Sequence, residues 1–379
     1  MKYIDEYRDG DLAKGFAAQI AQEVRPDATY RFMEFCGGHT HAISRFGIAD
    51  LLPGNLRMIH GPGCPVCVLP IGRIDMAIAL AQHPDVTLCT YGDLMRVPGS
   101  GEASLLKTKA AGADIRLVYS TLDAIRIAEA EPAREVVFFA IGFETTTPPT
   151  ALAIRQAAVK KLLNFSVFCN HVMTPPAMRG LLESANLSAS DSVEIDGFIG
   201  PSHVSSIIGT EPYEVFARQF AKPVVVTGFE PLDVLQAMLM LVRQVNQGRH
   251  EVENQYVRAV TREGNRIAQA AIAEVFTLRD SFEWRGLGSL PRSGLRLADA
   301  YAAFDAERRF GLAEIVGRDN PACECGTILS GAKTPTECKL FGTVCTPDTP
   351  MGACMVSAEG ACAAHWTYGR FRDRARGAA

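Results

Sequence analysis

Eight short apolar runs recur along this chain, and each ends in Gly- or Pro-rich residues before a stretch with helical spacing. The runs are Tyr30–Phe35, Leu56–Ile59, Val86–Thr90, Ile115–Tyr119, Val136–Ile141, Phe165–Cys169, Gly197–Ile199 and Val224–Thr227. Short apolar runs that do not alternate suit strands buried on both faces. Between them, Asp75–His83, Leu122–Ala130, Thr150–Leu163 and Leu232–Gln247 carry apolar residues at i, i+3, i+4 spacing, the pattern of an amphipathic helix. Strand alternating with helix implies parallel sheets with right-handed crossovers and helices on both faces. The expectation is an α/β protein with two Rossmann-like parallel-sheet domains facing a cleft, spanning residues 30–155 and 156–275. After Phe276 the rhythm stops. Residues 276–379 are expected to form a third, mostly helical and loop domain, with 1–29 packing back on it as one or two short helices. Within it, Ser281–Asp299 reads as a linker leading into a helix.

With 379 residues there is room for two or three domains, at ~100–200 residues each. The net charge is −4, from 38 basic and 42 acidic residues. No field is available to draw in a phosphate backbone, so no nucleic-acid partner is expected. The N-terminal MKYIDEYRDGDLAKGF has no apolar core of the kind a secretory signal needs. The apolar runs fall well short of the ~20 residues of a membrane span. A cytoplasmic protein without a membrane partner is expected.

The chemistry-bearing residues fall directly after the expected strands. Cys36-Gly-Gly-His39-Thr-His41 follows the first, and Gly61-Pro-Gly-Cys64-Pro-Val-Cys67 the second. Tyr91-Gly-Asp93, Gly142-Phe-Glu144-Thr145-Thr146-Thr-Pro148, Asn170-His171, Pro201-Ser-His203 and Gly228-Phe-Glu230 close later ones. In a parallel sheet the carboxyl ends of the strands share one crevice, where ligands bind. The Cys64-x-x-Cys67 turn brings two sulfurs within reach of a disulfide or a metal ion. With Cys36, His39 and His41 the set suits iron or zinc, and a thioredoxin-like redox pair is the alternative. Thr145 and Thr146 suit the N-cap of the following helix, which leaves Glu144 without a structural explanation. Cys89 and Cys169 lie inside apolar runs and read as inert core thiols.

Six of the 11 cysteines lie between Cys323 and Cys362, in a loop-like stretch with too little apolar surface to hold itself together. A metal cluster or disulfides must do so. An iron–sulfur cluster takes four thiolates. The two left over could form a disulfide beside it, and structural zinc is the competing option.

These motifs, over nearly the whole chain, resemble the HypD family of hydrogenase maturation factors. The residues that carry the resemblance are Cys36-Gly-Gly-His39, Gly61-Pro-Gly-Cys-Pro-Val-Cys67, Gly142-Phe-Glu-Thr-Thr146, Pro201-Ser-His-Val-Ser-Ser-Ile-Ile-Gly209, Gly228-Phe-Glu-Pro-Leu-Asp233 and the six-cysteine region. The resemblance implies a scaffold on which the Fe(CN)2CO part of the [NiFe]-hydrogenase site is assembled. It implies a HypC-type chaperone, a HypE-type cyanide donor and, indirectly, the hydrogenase large subunit as partners. Carried onto this chain, Cys36, Cys64 and Cys67 become the thiols that hold iron, with His39, Glu144, Thr145, Thr146, His203 and Glu230 around them. Cys323, Cys338, Cys345 and Cys362 become ligands of a [4Fe–4S] cluster, and Cys325 with Cys354 a redox pair. A stand-alone iron–sulfur thiol–disulfide oxidoreductase is the alternative reading.

Overall fold

The computed structural model describes residues 4–185 and 193–369. Nine parallel strands form two sheets. They are β1 (Tyr30–Glu34), β2 (Leu56–His60), β3 (Val86–Thr90), β4 (Ile115–Leu117), β5 (Glu135–Gly142), β6 (Phe165–His171), β7 (Gly197–Gly200), β8 (Val224–Val226) and β9 (Val252–Asn254). The first sheet has the order β2-β1-β7-β8-β9 and the second β4-β3-β5-β6. Helices join the strands, so the architecture is α/β with two Rossmann-like sheets. Among the described residues no helix is long and apolar enough to cross a membrane.

Side chains alternate across each strand, and this divides the interior into three cores. In β1, Tyr30 and Phe32 join Val225 of β8 and the helix Pro231–Asn246, while Met33 turns to the other face. In β5, Val136, Phe138 and Ala140 pack under the helix Thr147–Lys160, while Val137, Phe139 and Ile141 point the opposite way. The inward faces of both sheets, the Cys64–Cys67 turn and five of the six C-terminal cysteines share one central core.

The sheets do not divide at residue 155. The chain leaves the first sheet after β2, builds the whole second sheet between residues 86 and 171, and returns to add β7, β8 and β9. Uniformly apolar strands carry no alternation to mark a partner, so their order along the chain misleads. The N-terminal segment also departs from expectation. The helix Gly10–Glu23 packs on Pro231–Asn246 of the first sheet, where Arg243 pairs with Glu23 and Asn246 Nδ2 donates to Glu23 O at 2.7 Å. It does not pack on the cysteine-rich segment. Residues 1–3 and 370–379 of the expected third domain lie outside the described residues.

Residues 281–299 are not a linker. Ser281–Trp284 pairs antiparallel with Gly288–Pro291, and Phe276–Leu278 with Leu295–Leu297. Gly286 and Gly288, at φ of 80° and 72°, make the tight connection, a conformation that glycine adopts without a Cβ penalty. Beyond residue 312 the described residues form only short helical turns among loops. Its cysteine-rich part lies against the carboxyl ends of both sheets: Arg96, after β3, donates to Pro347 O at 2.9 Å and Val356 O at 3.4 Å.

Candidate functional site

β1 ends at Glu34, whose fully buried carboxylate folds over the next turn. It accepts from Cys36 N at 2.9 Å, lies 3.0 Å from His60 Nδ1, and also accepts from Thr40 Oγ1. Cys36 is the N-cap of the helix Gly37–Phe46. The turn after β2 runs back to back with it, Gly61 N donating to Glu34 O at 2.9 Å and Gly37 N to Gly63 O at 3.1 Å. A Cβ on Gly63 would fall 2.4 Å from Cys36 N. Only glycine allows this approach, so the Gly-Pro-Gly sequence places Cys64 beside Cys36. The Cys36 thiol is pushed up to about 12 by burial, then by the charges of Glu359 and Glu34. Its Sγ lies 3.9 Å from His203 Nδ1. Phe229 packs against both His39 and His203, at centroid distances of 4.8 and 4.3 Å.

Cys64 and Cys67 flank a single helical turn that begins at Pro65, and their sulfurs are bonded, with 5.2 Å between α-carbons. Cys67 Sγ is 3.9 Å from Ala353 O, one residue before Cys354. Cys323, Cys325, Cys338, Cys345, Cys354 and Cys362 all line one pocket there, with Ile328, Leu340, Phe341 and Met355. The Cys325 thiol hydrogen-bonds to both Cys323 and Cys354. Met351 N donates to Cys345 Sγ at 3.4 Å, and burial raises the Cys362 thiol. Donors of this kind, soft sulfurs set around an apolar pocket, fit a thiolate-bound iron–sulfur group.

The other candidates sort by their contacts. His39 is fully buried, its Nε2 3.3 Å from Thr227 O and 3.0 Å from Gly228 O. Two carbonyl neighbours require the proton on Nε2, which leaves Nδ1 as a buried acceptor without a partner. Burial lowers its pKa, so the ring is neutral. His41 turns to Tyr368 Oη at 3.1 Å. Glu144 is fully buried, its oxygens accepting from Thr174 N and Thr174 Oγ1, both at 2.9 Å, and burial pushes its carboxyl up to about 7. Thr146 spends its hydroxyl on Ile141 O and Phe143 O, and Thr145 is half-buried in the same turn. Glu230 pairs with Arg8 and caps the helix Pro231–Asn246. Cys89 and Cys169 are buried thiols, each raised to about 12 by burial. Among the described residues no three His, Cys, Asp or Glu side chains are set to hold a single metal ion. The Cys64 and Cys67 sulfurs are engaged with each other, and His39 and His41 point elsewhere.

Several functional neighbours carry no motif. Glu34 is legible only as one of two charges, with Arg31, inside an apolar run. Tyr213, fully buried, shares one core with Phe35 and Cys64 at the carboxyl end of the first sheet and Ile141 and Phe143 at that of the second. Glu359 lies against Gly37, whose absent Cβ would meet Glu359 Cβ at 2.4 Å. Burial raises its carboxyl, and the charges of Asp93 after β3 and Glu34 of β1 raise it further.

The HypD family model, described as "Hydrogenase formation hypA family", matches residues 11–369. The chain belongs to the HypD family. It is 71% identical over 376 residues to the hydrogenase maturation factor HypD of Rhizobium leguminosarum bv. viciae, covering 99% of this chain and 98% of that one. To the HypD of Cupriavidus necator it is 65% identical over 373 residues, covering 98% of each. To that of Escherichia coli it is 48% identical over 377 residues, covering 97% of this chain and 98% of the other. Its function lies in hydrogenase maturation, and the thiol-lined turns and pocket described above are those of a HypD chain.

Proposed function

We propose that this chain is the scaffold on which the Fe(CN)2CO group of a [NiFe] hydrogenase is built, together with a HypC-type chaperone and a HypE-type cyanide donor. The observation that carries this is that three sulfur-bearing segments adjoin one another. Cys36 lies beside the Cys64–Cys67 turn, and that turn touches the residue preceding Cys354 in the six-cysteine pocket. Iron that is to receive cyanide must be gripped by soft ligands while weaker ones are displaced, and thiolates are such ligands. Cys36 is protonated when free, so iron binding must displace its proton, and His203 Nδ1 is the nearest acceptor described for it. Cys64 and Cys67 can add two thiolates only after their bond opens, which takes two electrons and two protons. Cyanide carried as a protein thiocyanate likewise needs two electrons, RSCN + 2e⁻ → RS⁻ + CN⁻. A [4Fe–4S] cluster held by Cys323, Cys338, Cys345 and Cys362 would supply single electrons to this site. Cys325 and Cys354, which line the same pocket, are then left over as the redox pair.

The test is iron and sulfide counting on the chain purified anaerobically with its HypC-type partner. More iron than one four-iron cluster accounts for, lost in Cys36→Ala while the sulfide stays, is the expected result. Equal iron in both proteins contradicts the reading. The Cys64–Cys67 disulfide, with Cys67 Sγ 3.9 Å from Ala353 O, favours a second reading, a thiol–disulfide oxidoreductase acting alone. That reading requires disulfide reduction without a partner at a rate untouched by Cys36→Ala.

A further inference from the structure

Arg285 sits in the connection between the antiparallel strands Ser281–Trp284 and Gly288–Pro291, and its side chain is 2% exposed. Its backbone N donates to Val68 O at 2.8 Å and its Nε to Leu69 O at 3.0 Å. These are the two residues after Cys67. Its Nη1 pairs with Asp319, while Nη2 is buried without a partner. On the other side, Gly286 packs directly on Gly326, the residue after Cys325. A Cβ on Gly286 would lie 2.5 Å from the Gly326 α-carbon. The Arg285-Gly286 turn is thus wedged between the Cys64–Cys67 turn and the six-cysteine pocket, in contact with the backbone of each.

A buried guanidinium with a bare amino end is costly unless negative charge compensates it. We propose that Arg285 is a positioning residue for electron exchange between the two thiol sites. It fixes the Cys64–Cys67 turn against the six-cysteine pocket, and its buried charge would stabilise the negative charge that an iron–sulfur group in the pocket gains when a reductant loads it, the step before the exchange. The inference rests on the redox reading given above. In the exchange the Cys64–Cys67 bond breaks and a Cys325–Cys354 bond forms. Two electrons pass from the second pair to the first, and two protons follow them. An arginine suits the position because its fork serves Leu69 O and Asp319 at once, which a lysine cannot do.

The experiment uses the full chain, isolated anaerobically with its iron and sulfide counted, and sodium dithionite as the reductant. The rate at which Cys64 and Cys67 become open to alkylation is followed by peptide mass mapping. The midpoint potential of the iron–sulfur absorption is titrated in parallel. Arg285→Met, with iron and sulfide retained, is expected to open the pair at least tenfold more slowly and to move the midpoint negative. Arg285→Lys keeps the charge, so its midpoint should stay at the wild-type value while opening remains slow. A purely structural role would not separate the two readouts in this way. Wild-type opening in Arg285→Met overturns the proposal. Where that variant does not fold, wild-type opening in Arg285→Lys overturns it. Cys354→Ser separates the two layers of the argument. Fast opening there removes the pocket as the electron route and takes the proposal with it. Slow opening there beside fast opening in the Arg285 variants leaves the route standing and overturns the role of Arg285 alone.

Discussion

Cys36 is kept as a thiol by its surroundings, buried and facing two carboxylates, so it binds metal only when something removes its proton. Glu34 holds this turn together through three contacts. Glu34→Ala leaves their buried donors unpaired and is expected to cost about 3 kcal/mol in urea unfolding. A loss below about 0.5 kcal/mol would contradict that role. Glu144 gives a pH signature. Its carboxyl titrates near 7 in the folded chain and near ~4.3 when unfolded. The native state therefore binds the extra proton between these values. The stability this contributes is full below about pH 4 and is lost as pH rises through about 7, on the order of 3 kcal/mol in all. Glu144→Gln should remove that decline from the stability–pH curve, and an unchanged curve would show the carboxyl to be ionised throughout. The residues of this site were legible unevenly. Cysteines and histidines in glycine-rich turns announce themselves, whereas Glu34, Tyr213, Glu359 and Arg285 act by where folding buries them.

At the scale of elements, the strand ends are the decisive feature. Gly63 lets two turns meet with backbone against backbone, so its substitution cannot be absorbed by a flexible side chain. Gly63→Ala is expected to cost more than about 2 kcal/mol and to lower bound iron. By contrast a Cβ on Gly10 would meet nothing within 4 Å. Gly10→Ala, at the start of a helix, should be neutral or stabilising by up to about 1 kcal/mol. Thermal unfolding of the pair checks both, and equal effects would contradict the argument. Eight strands were legible because apolar runs bounded by Gly and Pro have few other uses. The ninth, Val252–Asn254, was not, because an edge strand reading Val-Glu-Asn, half-buried along its length, has neither the run nor the alternation. The hairpin at 281–291 was hidden in the same way by its glycines and arginines. Thr146 is the N-cap residue of the helix Thr147–Lys160, but against the expectation from its residue type its hydroxyl caps no helix N–H and donates back to Ile141 O and Phe143 O.

At the scale of the whole molecule, the order of strands was the part the chain concealed. Pairing β1 with β7 across the entire second sheet is a long-range choice that no local pattern records. The consequence is functional. Because the second sheet is inserted, Phe35 after β1 and Cys64 after β2 share one core with Phe143 after β5, and the cysteine-rich segment closes against both sheets. Beside it, Arg73 and Arg279 both pair with Glu307 and reach Cys169 O of β6, which ties the chain around residues 279 and 307 to the second sheet. Glu307→Ala strands two arginine charges and should cost about 3 kcal/mol or more, read as a lowered Tm. An unchanged Tm would show the cluster to be dispensable. The central claim, that iron is dressed with cyanide and carbon monoxide on Cys36, is tested most directly by infrared spectroscopy. The sample is the chain purified anaerobically with its HypC-type partner from cells with the maturation pathway intact. The account predicts cyanide and carbonyl stretching bands in the wild-type complex and their loss in Cys36→Ala. A wild-type complex without these bands, or bands of equal strength in Cys36→Ala, would contradict it.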